Sequence, residues 1–216
     1  MQHEVTDVQK LLDKQGYVVT PGWARRPVWQ YNRENIAAPS FRIKEWDYYL
    51  VTNGKFGLAL TIADNGYMGL DSISLLNLDE GWEKTKSPMR AFPLGKTGLP
   101  ESSETGDVSI SGKGYHLSFR HDGPDRVLDF HMEDFLDGAA IDGRLRLTDE
   151  PEESMVICTP FSKAGHFYYN QKINCMRASG SVLVGGREYV FDPADSFGVL
   201  DWGRGVWTYH NTWYWG

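Results

Sequence analysis

The sequence has few cysteines, no excess of positive charge and no long apolar run. Its two cysteines, Cys158 and Cys175, are too few for a disulfide framework, and with His166 they lack the ligand spacing of a zinc finger. A formal net charge of −7 provides no basic surface for a phosphate backbone, so nucleic acid is not an expected partner. No uncharged apolar stretch approaches membrane-spanning length, so no membrane span is expected.

The beginning of the chain, MQHEVTDVQKLLDKQG, lacks the basic and apolar regions of a signal peptide. Together with the two cysteines, which do not form a disulfide framework, it predicts a cytoplasmic protein with reduced thiols. The tripeptide GKT at 95–97 resembles the end of a phosphate-binding loop, but Arg90 occupies the position of the required first glycine. No cofactor and no metal are therefore predicted.

What the sequence does have is 23 glycines and 13% aromatic residues, a pairing typical of all-β proteins. The period-two pattern and the spacing of turn signals predict an all-β antiparallel barrel or sandwich. Asn65-Gly66 and Gly185-Gly186 are predicted to be hairpin turns. Apolar positions at Val5, Val8, Leu11 and Leu12 predict a short N-terminal helix. The predicted strands are 46–51, 56–63, 67–76, 115–121, 126–134, 141–148, 168–177 and 206–215.

The charged stretch DEPEES at 149–154 is the predicted boundary between two β units. Residues 1–40 are interpreted as an N-terminal helix and loop segment. Residues 41–150 are interpreted as a first barrel-like unit, in which 79–106 form a long loop. Residues 151–216 are interpreted as the start of a second barrel-like unit. It contains too few strands to close an eight-stranded barrel, so the second unit is expected to be incomplete.

The C-terminal segment VLDWGRGVWTYHNTWYWG holds half of the tryptophans of the chain. In a strand over 206–215, Trp207, Tyr209, Asn211, Trp213 and Trp215 share one face. Burying four such rings is worth at most about 20 kcal/mol at about 25 cal/mol/Å². Net folding stability is only about 5–15 kcal/mol, so this face must be covered by protein, by a ligand or by both.

Asp201 and Arg204 lie inside this aromatic segment and are the candidate catalytic residues. An unbroken strand would direct them to opposite faces, but a bulge at Gly203 and Gly205 would let them converge. A buried structural ion pair is the competing interpretation. Earlier in the chain, Tyr168, Tyr169 and Lys172 are further candidate pocket residues, and the sequence does not fix which of their faces points inward. The candidate ligand-binding residues are Trp202, Trp207, Tyr209, His210, Asn211, Trp213 and Asp47.

Several stretches carry a family resemblance, namely GWARRPVWQYNRENI, FRIKEWDYYLV, LTIADNGYMG, YYNQKINCMRASGSVLVGGREYVF, DWGRGVW and WYWG. From about residue 10 to residue 216 the chain resembles domain of unknown function family 2804. The resemblance implies a fold similar to the paired lipocalin-like (calycin-like) β-barrels, a group that includes carotenoid hydratases and fungal pericyclases. In those hydratases an aspartate in a D-x-x-W-G pattern is thought to protonate a double bond. Asp201, in D-W-G-R-G, has a similar neighbourhood, although the motif is not identical.

Three functions follow from these observations. The leading one is binding of a hydrophobic or amphipathic small molecule, with acid-assisted hydratase, isomerase or cyclase chemistry in which Asp201 donates the proton. The second is a non-catalytic ligand carrier. The third is carbohydrate binding or hydrolysis, for which Asp47 would have to approach Asp201 as the second carboxylate. Because members of the family usually continue past W-x-W-G, the final strand is also expected to pair with a further segment or to form a homo-oligomer.

Overall fold

The computed structural model describes residues 3–212, which form sixteen strands and two short 3-10 turns, Arg33–Asn35 and Ser40–Arg42. The all-β prediction is confirmed. Among these residues no helix is long and apolar enough to span a membrane. The strands are β1 (Gln9–Lys10), β2 (Gly22–Ala24), β3 (Trp29–Gln30), β4 (Ile43–Thr52), β5 (Phe56–Asp64), β6 (Met68–Asn77), β7 (Trp82–Lys86), β8 (Met89–Ala91), β9 (Val108–Gly112), β10 (Tyr115–Asp122), β11 (Asp125–Leu136), β12 (Ala139–Thr148), β13 (Met155–Pro160), β14 (Phe167–Val184), β15 (Arg187–Phe191) and β16 (Phe197–Val206).

Fourteen of the strands form one sheet, in which the order of the main path is β7-β6-β5-β4-β16-β14-β12-β11-β10-β9. All pairings in this sheet are antiparallel, and hairpins join most sequential neighbours. β14 is 18 residues long and carries a register shift between Ile173 and Met176. Its first half pairs with β13 and β16, whereas its second half pairs with β12 and β15. One strand therefore contributes to both parts of the sheet.

The sheet curls so that one face becomes a packed interior. Tyr49 on β4 meets Phe119 on β10 with ring centroids 4.9 Å apart, across the interior from each other in the sheet order. At the end of the sheet, Lys86 on β7 donates hydrogen bonds to the carbonyls of Glu133 and Asp134 on β11. Along each strand, successive side chains point alternately to the inner and the outer face, as expected for a sheet with one buried side. Its fully buried side chains include Leu58, Leu60, Ile62, Ile73, Leu75, Leu117, Leu128, Ile141, Leu145 and Val182.

The predicted N-terminal helix is wrong, since residues 3–31 form short strands, isolated bridges and turns but no helix. Gln9 and Lys10 pair in parallel with β3, and β2 pairs with β13. Val5, Leu11 and Leu12 are buried, but Val8 is 69% exposed, so the four apolar residues do not share one buried face. Pairing with distant strands has outweighed a weak local helical pattern.

The predicted strand at 206–215 is also wrong over its described part. β16 ends at Val206, and residues 207–212 form neither helix nor strand. Residues 213–215 of that prediction lie outside the described residues. In addition, the predicted loop 79–106 contains β7 and β8, both of which pair with β6. The two hairpin turns are present, with positive φ at Gly66, Gly185 and Gly186.

Candidate functional site

A groove with a volume of about 1210 Å³ lies on the outer face of the sheet, over β4, β16 and the first half of β14. Among residues 3–212, eight of the residues that line it are apolar or aromatic and seven are polar. Ligand sites are typically apolar clefts with a few placed polar groups, and this groove has that composition. The apolar and aromatic residues are Trp46, Tyr48, Leu50, Met155, Ile157, Tyr168, Val199 and Trp207. The polar residues are Lys44, Thr61, Asn65, Lys172, Asn174, Asp201 and Asn211.

Strand register places these residues together. Asp201 on β16 stands opposite Tyr48 on one side and Lys172 on the other. Residues directly opposite each other in a sheet project from the same face. Gly203 stands opposite Trp46, and a Cβ at Gly203 would lie 2.1 Å from Cζ2 of the Trp46 indole. Gly203, the first glycine in DWGRG, therefore leaves room for the Trp46 indole to pack against its backbone.

Asp201 lies at the floor of the groove with its side chain 6% exposed. Its Oδ1 accepts hydrogen bonds from Asn170 Nδ2 at 2.6 Å and from Trp46 Nε1 at 3.2 Å. Its Oδ2 accepts a hydrogen bond from Lys172 Nζ, with which it forms an ion pair. Both oxygens of the carboxylate therefore act as acceptors for groups on neighbouring strands.

Three aromatic rings form one wall above this carboxylate. Trp46 lies 5.1 Å from Trp207 and 6.3 Å from Tyr168 between ring centroids, and Tyr168 lies 5.7 Å from Trp207. Burial raises the pKa of Tyr168, and the nearby charge of Asp201 raises it further. The same two causes, in the same order, raise the pKa of Tyr48. Both phenols stay neutral at physiological pH and can donate hydrogen bonds to a ligand.

Lys44 marks the edge of the groove nearest the β5–β6 turn. Its Nζ donates a hydrogen bond to the carbonyl of Asn65 and lies 4.1 Å from the ring centroid of Tyr67. Burial lowers the pKa of Lys44 to about 8, the charge of Arg42 adds to that shift, and Asp64 opposes it. An amine that loses its proton near physiological pH is unusual for lysine.

Arg204 does not meet Asp201. The register of β16 against β4 is continuous from Phe197 to Val206, so the expected bulge at Gly203 and Gly205 is absent from this pairing. Arg204 consequently projects into the sheet interior, where it is 0% exposed, while Asp201 projects into the groove. The predicted Asp201–Arg204 anchor is therefore wrong. In an unbroken strand, residues 201 and 204 project from opposite faces of the sheet, and the structure shows this arrangement.

The guanidinium of Arg204 instead ties together parts of the interior. Its Nη2 lies 3.0 Å from Asp47 Oδ1 and donates a hydrogen bond to the Pro100 carbonyl at 2.8 Å. Its Nη1 donates hydrogen bonds to the carbonyls of Trp46 and Gly203. The guanidinium carbon also lies 4.1 Å from the Trp202 ring centroid. These contacts are those of a structural residue.

Asp47 is likewise an interior residue. It stands opposite Trp202 on the inner face, so it and Asp201 are separated by the sheet and cannot act as a carboxylate pair. Burial raises the pKa of Asp47, and the charge of Arg204 acts in the opposite direction. Asp47 lies beside a small void of about 10 Å³ under residues 100–108, too small for a ligand.

The other predicted ligand-binding residues are divided between several locations. Trp207 and Asn211 line the groove. Trp202 packs on the inner face against Tyr169, with ring centroids 5.2 Å apart. Tyr209 is 83% exposed and lies under the Arg42 guanidinium, and His210 is exposed. Trp213 lies outside the described residues.

Lys44, Trp46 and Tyr48 line the groove but were not among the residues predicted from the sequence. In FRIKEWDYYLV these residues alternate with Ile43, Glu45, Asp47 and Tyr49, which the structure places on the opposite face. The alternation could have identified them, because it assigns these three residues to one face of the strand and their neighbours to the other, even though both sets contain apolar residues. The described residues include no group of three or more side chains with the arrangement of a metal site.

The fold and the groove define an all-β protein with an aromatic cleft on the outer face of a curled antiparallel sheet. A family model, the domain of unknown function DUF2804, matches residues 2–216. The chain belongs to this family. No curated protein matches the chain.

The solved structures that are similar to the chain include the following two. One is an AttH-like protein from Nitrosomonas europaea, with 12% identity and a TM-score of 0.46, covering 88% of this chain and 59% of that one. The other is kievitone hydratase from Nectria haematococca, with 13% identity and a TM-score of 0.41, covering 91% of this chain and 57% of that one. The chain thus spans less than two thirds of the length of either protein.

Proposed function

We propose that this protein binds an amphipathic small molecule in the outer groove. The observation that carries the proposal is the Asp201–Lys172 ion pair, whose carboxylate is buried and whose lysine is partly buried, beneath an aromatic wall in an open cleft of about 1210 Å³. A buried ion pair is a weak source of stability, because the cost of removing both charges from water offsets their attraction. Placed at the floor of an apolar cleft, such a pair orients a polar group of a ligand.

The ligand would lay its apolar body against Trp46, Tyr168 and Trp207 and direct its polar end toward Asp201 and Lys172. Large rings supply much contact area, and the few polar groups supply orientation. The hydrogen bonds to both oxygens of Asp201 favour a role as an anchor over a role as proton donor. Binding without chemistry is therefore the form of the proposal that the geometry supports best.

The two alternative functions receive less support. Acid-assisted addition or isomerisation would require Asp201 to give up its contacts with Asn170 and Lys172. Hydrolysis of a glycoside by two carboxylates would require a partner for Asp201, and Asp47 lies across the sheet. We further propose a cytoplasmic location, since both cysteines are free thiols, Cys158 buried and Cys175 exposed.

Titration with cis-parinaric acid, a fluorescent amphipathic polyene, tests the proposal. We expect saturable binding by the wild type and a loss of about tenfold or more in affinity for Trp46→Ala, equivalent to about 1.4 kcal/mol or more. Trp82→Ala is the matched control, because Trp82 is half-buried on β7 and does not line the groove. Equal affinities for the wild type and Trp46→Ala, or no binding by the wild type, would contradict the proposal.

The Asp201→Asn variant distinguishes a role of Asp201 in anchoring the ligand from a role in stabilising the fold. If Asp201 anchors the ligand, the variant should lose affinity for the probe while melting within a few degrees of the wild type. A large drop in melting temperature with unchanged affinity would assign the ion pair to folding alone. Mass spectrometry of the recovered probe then distinguishes carrier from catalyst: an unchanged mass and double-bond pattern support a carrier, and added water or an isomer supports catalysis.

A further inference from the structure

Lys44 differs from the other lysine that lines the groove. Lys172 forms an ion pair with Asp201, whereas among the described residues no carboxylate lies within 4.0 Å of Lys44 Nζ. The ammonium of Lys44 is held by a carbonyl, that of Asn65, and by the face of the Tyr67 ring. These contacts position the nitrogen without neutralising it with a negative charge.

The side chain also points into the cleft that would hold the ligand. Lys44 belongs to the same face of β4 as Trp46 and Tyr48, and all three line the groove. A ligand lying along the aromatic wall would have one end at the Asp201–Lys172 floor and the other within reach of the Lys44 rim. Of the two lysines that line the groove, Lys172 has Asp201 as its carboxylate partner, whereas Lys44 has none among residues 3–212.

The electrostatic surroundings of Lys44 favour the unprotonated amine. Burial is the main cause, the neighbouring charge of Arg42 adds to it, and Asp64 opposes both, giving a pKa of about 8. At pH 7.5 about a quarter of such amines are unprotonated, compared with about one in a thousand for an ordinary lysine with a pKa near 10.4. Desolvated lysines of this kind are the ones that form Schiff bases with carbonyl compounds.

We propose that Lys44 forms a reversible imine with an aldehyde or ketone group of the molecule bound in the groove. The inference rests on the proposed function and narrows its ligand class to amphipathic carbonyl compounds. Lys44 binds the ligand covalently, while the aromatic wall contacts the apolar part of the ligand.

The reaction balances without an oxidant or a reductant. The unprotonated Nζ attacks the carbonyl carbon, a C–N bond forms, and one proton moves from nitrogen to the carbonyl oxygen to give a carbinolamine. With one further proton from solvent, that oxygen leaves as water and the nitrogen lone pair forms the C=N bond. The product is a protonated iminium ion, which keeps the positive charge that the lysine carried.

The contacts that hold the ammonium suit this product. An iminium nitrogen retains one N–H, which can donate to the Asn65 carbonyl, and its charge remains over the Tyr67 ring, as in other cation–π contacts. A purely structural role for Lys44, tying β4 to the turn after β5, would use the same contacts. The two roles differ in whether the nitrogen is available to an electrophile.

Reductive trapping with decanal distinguishes them. The folded chain of 216 residues is incubated with decanal at pH 7.5, sodium cyanoborohydride is added, and the modified lysine is located by peptide mapping. Among the lysines we expect the decyl group on Lys44, with a rate at least about tenfold above that of any other lysine, given the difference in unprotonated fraction. Lys44→Arg keeps the positive charge but cannot be trapped, and it should lose this adduct.

Lys55→Met serves as the matched control, because Lys55 is an exposed lysine in the turn between β4 and β5. It should be trapped as fast as the wild type. Equal modification of Lys44 and Lys55 in the wild type, or an undiminished main adduct in Lys44→Arg, would overturn the inference. The melting temperature of Lys44→Arg establishes that the variant is folded when it is assayed.

Decanol separates failure of this inference from failure of the proposed function. It has the same chain length as decanal but no carbonyl, and its binding is followed by tryptophan fluorescence. If decanol binds and decanal leaves no adduct on Lys44, the imine is refuted and the groove remains a binding site. If decanol does not bind, the groove itself is refuted for this class of ligand.

Discussion

Removing the Arg204 guanidinium should destabilise the protein strongly at neutral pH. Arg204→Met keeps a long apolar side chain but leaves the carboxylate of Asp47 without the guanidinium 3.0 Å away. It also removes the hydrogen bonds to the carbonyls of Trp46, Gly203 and Pro100. Breaking one partner of a buried ion pair costs about 3–5 kcal/mol, because the remaining charge stays buried.

That loss has a measurable counterpart in melting temperature. For a chain of 150–250 residues each kcal/mol shifts the melting temperature by about 2–4 °C, so we expect a decrease of about 6–20 °C at pH 7. Thermal denaturation followed by circular dichroism, with urea unfolding as a second measurement, would show it. A loss below about 1 kcal/mol would refute the structural role assigned to Arg204.

The loss should also depend on pH, with a sign that follows from Asp47. Burial already holds the pKa of Asp47 above its ordinary value of 3.8 in the folded state, and Arg204 limits that rise. Without Arg204 the folded-state pKa rises further. Between the unfolded and folded pKa values the native variant binds a proton that the unfolded chain does not, so its stability falls as pH rises through this window.

The difference in the free energy of unfolding between the wild type and Arg204→Met should therefore be largest at neutral pH. It should shrink as Asp47 becomes protonated at lower pH. Adding Asp47→Asn to Arg204→Met should recover part of the stability at pH 7, because no buried charge then remains at that position. A difference that is constant with pH, or a double variant no more stable than the single one, would contradict this account.

Two further predictions concern the groove strand and the cysteines. Gly203→Ala places a Cβ 2.1 Å from the Trp46 ring, so it should destabilise the fold by about 1–3 kcal/mol. It should also change the near-ultraviolet circular dichroism of the indole. A variant with unchanged spectrum and stability would contradict the packing of Trp46 against Gly203. Ellman's reagent should react rapidly with one thiol per native chain, that of exposed Cys175, since burial raises the pKa of Cys158 to about 12. In denaturant two thiols should react, and rapid reaction of both in the native state would contradict the burial of Cys158.

The strands were largely predictable because alternation and turn chemistry agree along most of the chain. Asn65-Gly66 illustrates this, since glycine supplies the positive φ that the turn requires and the flanking segments alternate. The N-terminal segment was not predictable in the same way. Its apolar residues fit a helical spacing, but their burial comes from β2 and β3 pairing with distant or parallel partners, which no local pattern encodes.

The candidate site was predictable in part, and the reason lies in the two glycines of DWGRG. Their spacing suggests a bulge, yet each has another use in the structure. A Cβ at Gly203 would meet Trp46, and one at Gly205 would lie 2.3 Å from the Phe167 carbonyl. Both glycines accommodate close neighbours that are remote in sequence. Asp201 was identified, but its partners Lys172 and Asn170 follow only from strand register.

The 18-residue strand β14 has a consequence for the acidic stretch at 149–154. A cut there would leave β1 to β12 on one fragment and β13 to β16 on the other. The second fragment would still insert β14 beside β12 and β16 beside β4, through eighteen register pairs. β13 would also pair with β2 of the first fragment, so backbone pairing would direct the association of the halves at three separate strands. Reassembly of the two polypeptides would restore both the interior and the outer cleft.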